Sequence, residues 1–184
     1  MMTLTQKIGS ISFRRIVWLA PVAFAFHEAE EWNVIPWYVA QFSPATIPSD
    51  LANRTLLVAI TLIAFLWTAI ACLLPTVRAT AYMVLPFFVL ALGNAQQHIY
   101  WQFAFPGYAP AFLSCALLNV PAVLLVSWHA LRNRLVGGRF LGVLYAGLVP
   151  GLIQTVHAGH TEMRVFREIF RFGEWLAQLL FGPV

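Results

Sequence analysis

Phe26-His27-Glu28-Ala29-Glu30-Glu31-Trp32 follows directly on the apolar run from Ile16 to Phe26, and the reading of this junction decides the fold. A helix needs about 20 apolar residues to cross a bilayer, so this run is too short alone, and a crossing helix must carry the charged cluster into or near the hydrocarbon edge. Ionisable side chains at such depth mark a site by default. Spacings of three and four residues place His27, Glu30 and Glu31 on one helix face and turn Glu28 elsewhere, toward solvent or headgroups. Three groups able to bind a metal or move protons are therefore expected to converge.

Composition sets the class around this junction. Of the 184 residues, 60% are apolar and 10% charged, against roughly 25% charged in soluble domains. The chain reads as an all-α, polytopic transmembrane bundle of about five helices in a single domain, residues 1–184. The expected spans are about 16–32, 55–74, 79–101, 109–129 and 140–157, with an amphipathic helix at about 162–181 lying in the interface through Phe166, Ile169, Phe170 and Leu176. Breaks fall at Ser43-Pro44, Pro48-Ser49-Asp50, Pro75, Pro106-Gly107 and Gly137-Gly138. Pro21, Pro86, Pro121 and Pro150 lie inside spans and predict kinks. Gly138/Gly142 and Gly147/Gly151 predict close helix packing.

The formal charge of +4 is spread over helix ends without a basic tract, which excludes a nucleic-acid partner and points to lipid headgroups. Cys72 and Cys115 fall in apolar segments as small hydrophobes. With the N-terminus inside, Lys7, Arg14, Arg15, Arg78, Arg132, Arg134 and Arg139 are cytoplasmic, and the C-terminus is outside. This is the expectation for a prokaryotic inner-membrane protein. Ala23-Phe24-Ala25 after a basic N-terminus also resembles a signal-peptide cleavage site, but cleavage would detach His27 from its helix.

His27, Asn94, His98 and His157 all fall in the outer halves of their spans, which predicts a polar pocket on that side. Asn94 and His98, four apart, share a face, with Gln97 on or near it. His129 reads as a snorkelling residue of the inner interface, His160 as solvent-facing, and Asn119 as a helix–helix hydrogen-bonding residue.

His27-Glu28-Ala29-Glu30-Glu31 and Asn94-Ala95-Gln96-Gln97-His98 together resemble the HXXEE family of bacterial and archaeal integral membrane proteins, whose signatures are His-x-x-Glu-Glu and Asn-x-x-x-His. A third signature, Tyr-x-Pro-Gly, falls at Tyr108-Ala109-Pro110-Ala111, where alanine replaces the glycine and leaves a left-handed turn position in question. The resemblance covers about residues 16–119. It implies a membrane fold and a site built from these motifs, and it assigns no reaction.

Imidazole and carboxylate suit a divalent metal, zinc or iron. His27, Glu31, His98 and His157 are the expected ligands, Glu30 the general base to a bound water, and Asn94 and Tyr108 the groups that polarise or orient substrate. The expected activity is metal-dependent hydrolysis of a lipid or other small apolar substrate on the outer side. Two alternatives stay open: a metal-free acid/base isomerase or cyclase of a sterol- or prenoid-like lipid, and a proton- or cation-coupled transporter. The sequence carries no signal for oligomeric state.

Overall fold

The computed structural model describes residues 10–182, so Lys7 lies outside the described residues. Among them every regular element is helical. In chain order these are α1 (Phe13–Ile16), α2 (Leu19–Glu30), α3 (Ile35–Phe42), α4 (Asp50–Leu73), α5 (Val77–Ala104), α6 (Phe112–Arg132), α7 (Gly138–Ala158) and α8 (Arg164–Phe181). Four of them, α4 to α7, are long and apolar enough to cross a membrane.

Serine and threonine start two of the four long helices. Ser49 accepts from the Ala52 N–H at the head of α4, and Thr76 accepts from Ala79 at the head of α5, both at 3.1 Å. The internal prolines explain three irregularities, because each removes a helical donor and crowds a carbonyl one turn upstream. Pro21 follows the break at Val17–Trp18, so the helix within the first expected span runs only from Leu19 to Glu30 and α1 precedes it. Pro121 follows a widened π-type turn at Cys115–Asn119 inside α6, and Pro150 follows the break at Gly147 inside α7. Pro86 leaves α5 continuous.

α1 and α2 run alongside α4 from end to end. Arg14 donates to the Leu74 carbonyl at one pole, and Asn53 Nδ2 donates to the Glu31 carbonyl, 3.3 Å away, at the other. The first pole also holds Arg78, bonded to the Arg134 carbonyl, and His129, whose Nε2 meets the Ile11 carbonyl at 2.8 Å. His129 is 2% exposed, so it is a buried tie for the N-terminal segment and not a snorkelling residue. Arg14, Arg15, Arg78, Arg132, Arg134 and Arg139 belong to this pole, and the seven acidic residues belong to segments at the other.

The core is a close packing of Leu, Val, Phe and fully buried alanines, including Ala20, Ala64, Ala81 and Ala95, which let helix backbones approach. The glycine pairs of α7 contribute little to it: Gly142 faces open space, and Gly151 meets only the Gln96 side chain. The close approach falls at Gly173 of α8, where a Cβ would stand 3.1 Å from the Ala52 carbonyl. There α8 lies against α4, and Glu174 accepts from Ser49 N–H at 2.7 Å and from its hydroxyl at 3.1 Å. The short α3 completes that pole with an aromatic cluster of Tyr38, Phe42, Trp101 and Phe105. Burial, and then the Glu162 carboxylate 2.7 Å away, push the Tyr38 phenol well above its usual range, so it stays protonated and remains a donor.

Candidate functional site

Residues advance by about 100° around a helix, which puts Glu31 about 40° and Glu28 about 100° from His27, while Glu30 lies about 60° to the other side. The buried Ala20 and Phe24 fall inside the His27–Glu28 arc. α2 therefore turns Glu28, Glu31 and His27 inward and leaves Glu30 on its far edge. Glu28 is 3% exposed and lines a cavity between α2, α4 and α5, a correction to its reading as a solvated or headgroup-facing carboxylate. The upstream run is apolar on every side of the helix, so the sequence carried no signal for it.

His27, Glu31 and His98 each offer a ligand atom, and those atoms all lie within 4.8 Å of one another. His98 Nε2 stands 2.7 Å from Glu31 Oε1, and His27 Nε2 is 3.9 Å from Oε2 of the same carboxylate. The tautomers are readable from the neighbours. His98 Nδ1 faces the Pro110 carbonyl at 2.7 Å, which only accepts, so Nδ1 carries a proton and Nε2 is the nitrogen turned to Glu31. Asn94 Nδ2 donates to His27 Nε2 at 2.8 Å, leaving Nδ1–H toward the Cys115 sulfur, 3.1 Å away. Cys115, read from sequence as a small hydrophobe, thus helps to hold the ring; a contact 88 positions away left no local signal. His27 Nε2, occupied by Asn94, and His98 Nε2 thus stand beside one carboxylate. The His98–Glu31 approach is short yet misaligned for an N–H bond, and Nε2 has no hydrogen-bond partner.

The remaining expected site residues divide. Asn94 joins the cluster. Glu30 and Tyr108 do not: Tyr108 donates to Glu30, whose second oxygen accepts the Ser114 N–H at 2.8 Å, on the opposite side of α2 beside Phe26 and Leu117. Their bonds leave Glu30 engaged and away from the cavity. His157 is exposed on α7 and does not join the three converging ligands. Asn119 is fully buried, but neither side-chain polar atom has a partner, so the expected helix–helix hydrogen bond is not made. His160 is exposed, as expected, and bonds the Gln41 carbonyl.

Tyr108 to Ala111 has a clear structural task. It bonds Glu30 through Tyr108, orients His98 through the Pro110 carbonyl, and turns into α6 at Ala111, which takes φ 65° and ψ 2°. The left-handed position is present although alanine occupies it.

Glu31 and His98, with His27 buried behind them, form part of one wall of a cavity of about 380 Å³ between α2, α3, α4, α5 and α8. Asn53, Asn94, Gln97 and Glu28 add polarity near the histidine wall, and Phe24, Leu57, Phe87, Phe166 and Ile169 supply the apolar walls. No curated protein and no solved structure matches the chain. A family model described as a protein of unknown function with HXXEE motif matches residues 18–126, more than half of the sequence. With His27, Glu30 and Glu31 standing in that motif, the chain belongs to the HXXEE-motif family.

Proposed function

We propose that this is an integral membrane enzyme that binds a divalent metal through His27, Glu31 and His98 and acts on an apolar substrate in the adjoining cavity. One observation carries the reading: ligand atoms of two imidazoles and one carboxylate lie within 4.8 Å of one another beside an apolar chamber. Three protein ligands with an open position are the usual catalytic zinc set, and such a metal would polarise an ester or amide carbonyl or activate water. Tetrahedral ligands at about 2.0 Å from an ion lie about 3.3 Å apart, so His98 and Glu31 need open by only about half an ångström to take one. The lone pair on His27 that accepts from Asn94 is the one an ion would use, which releases the Asn94 amide to orient substrate. Glu30 has no place in this scheme as a base; it braces the segment that orients His98.

Five spans with the N-terminus cytoplasmic are part of the reading. The α1–α2 segment matches α4 pole to pole, and the arginine-rich pole fits the cytoplasmic face. The cavity then opens at the outer side, and α8 rests in that interface.

A second reading keeps the 2.7 Å Glu31–His98 contact as a shared proton and makes the site a metal-free acid/base centre. Metal analysis of the purified protein beside His27→Ala and His98→Ala separates the two. About one zinc or iron per wild-type chain, lost in both variants, supports the metal enzyme. Metal-free protein in every preparation removes it.

A further inference from the structure

Polar and apolar lining residues are offset by the same interval on three walls of the cavity. On α2 Phe24 comes seven residues before Glu31, on α4 Ile60 comes seven after Asn53, and on α5 Phe87 comes seven before Asn94. α4 runs opposite in direction to α2 and α5, so all three offsets point the same way, away from the pole where Asn53 meets the Glu31 carbonyl. Seven helical residues rise about 10 Å. The cavity therefore has a polar belt at one level, from Glu31, Asn53, Asn94 and His98, and an apolar extension two turns deeper between the long helices. Phe24, Leu57, Ile60, Phe87 and Ala91 line that extension and offer no polar side-chain atom.

The deep end has a braced floor. Phe87 stacks on Trp67, with ring centroids 5.9 Å apart and planes 25° from parallel, and the Trp67 indole N–H donates to the Met83 carbonyl at 3.0 Å. The indole bond holds Trp67 in place, and the stack holds Phe87. An apolar recess stays dry and gains dispersion energy only from an apolar occupant. Set among spanning helices, this one is surrounded by lipid chains.

Resting on the reading of this cavity as a substrate chamber, we propose that the recess is a subsite for the hydrocarbon chain of a membrane lipid, with Phe87, braced by Trp67, setting the chain length it accepts. The polar end of that lipid lies at the belt, beside Glu31 and His98, and the chain runs along the helices toward the membrane interior. An extended chain advances about 1.25 Å per carbon, from bonds of about 1.52 Å meeting at about 111°. About eight carbons then fill the 10 Å between belt and floor. Length is selected by the floor, so it is independent of the head the lipid carries.

The test uses hexyl, octyl, dodecyl and hexadecyl probes with a diazirine at the chain end, each made as the alcohol and as the amine. In nanodiscs, peptide mass spectrometry after illumination locates the labelled residues. Saturable labelling at Ile60 or Phe87 is expected at about tenfold lower mole fraction for octyl than for hexadecyl probes, with the same optimum under both heads. Phe87→Ala lowers the floor by the length of a phenyl ring and should move the optimum from octyl to dodecyl. Phe87→Leu, a milder change, should move it in the same direction by less. Labelling that does not saturate, chain ends that mark Trp37 or Phe166 instead, an optimum that changes with the head, or one left unchanged in whichever Phe87 variants fold would each overturn the proposal. Metal content of the same preparations keeps the two ideas apart: length-selective labelling of metal-free protein upholds this inference and removes the metal centre, and metal-loaded protein without length selection does the reverse.

Discussion

His98 is held between two oxygens: its Nδ1 faces the Pro110 carbonyl and its Nε2 faces Glu31 Oε1, each at 2.7 Å. The first contact places a proton on Nδ1 and the second brings Nε2 up to the carboxylate. A loop carbonyl between α5 and α6 thereby decides what a histidine on α5 can do to a carboxylate on α2.

Glu30 supports that loop from the far side. Glu30→Gln should leave metal content unchanged and lower stability by about 1–2 kcal/mol, because the Tyr108 and Ser114 bonds lose their charge. Thermal unfolding and metal analysis on one preparation check both halves. Loss of metal with unchanged stability would return Glu30 to the site.

Ala111 occupies a conformation in which an L-residue costs roughly 1–2 kcal/mol. Ala111→Gly is expected to stabilise the protein by up to about 1 kcal/mol after glycine's larger unfolded-state entropy is counted, a rise of about 2–4 °C in Tm. A lower Tm would mean that the left-handed turn is not what this position requires.

Asn119 carries two buried polar atoms with no partner, beside the widened turn above Pro121. Replacing an unsatisfied amide by an apolar side chain of similar size removes a penalty of about 1–3 kcal/mol. Asn119→Leu should therefore raise the unfolding midpoint. Destabilisation would show that the amide is bonded in the membrane, to water or to a bound ligand.

Orientation is open to a direct assay. A phosphatase reporter fused after Val184 should be active, and a cytoplasmic reporter at the same place silent, because five crossings follow a cytoplasmic N-terminus. The opposite pattern would remove the α1–α2 segment as a crossing or add α8 as a sixth.

Helical class, the four long spans and the meeting of His27, Glu31, Asn94 and His98 were legible in the sequence. Apolar length, proline and serine boundaries, and i, i+4 spacing are properties of single helices, and two motifs at matching depth on neighbouring spans have few ways to avoid each other. Tertiary structure alone decided which side of α2 faces the cavity. Motif spacing gives relative angles but no absolute phase, and packing of Ala20 and Phe24 rotated Glu28 inward and Glu30 outward. It also decided that α8 caps the chamber, through the Gly173–Ala52 approach, and that Cys115 and the Pro110 carbonyl orient the two imidazoles. The imidazole contacts join chain positions 12 and 88 residues apart on different elements, and no local periodicity encodes such pairings.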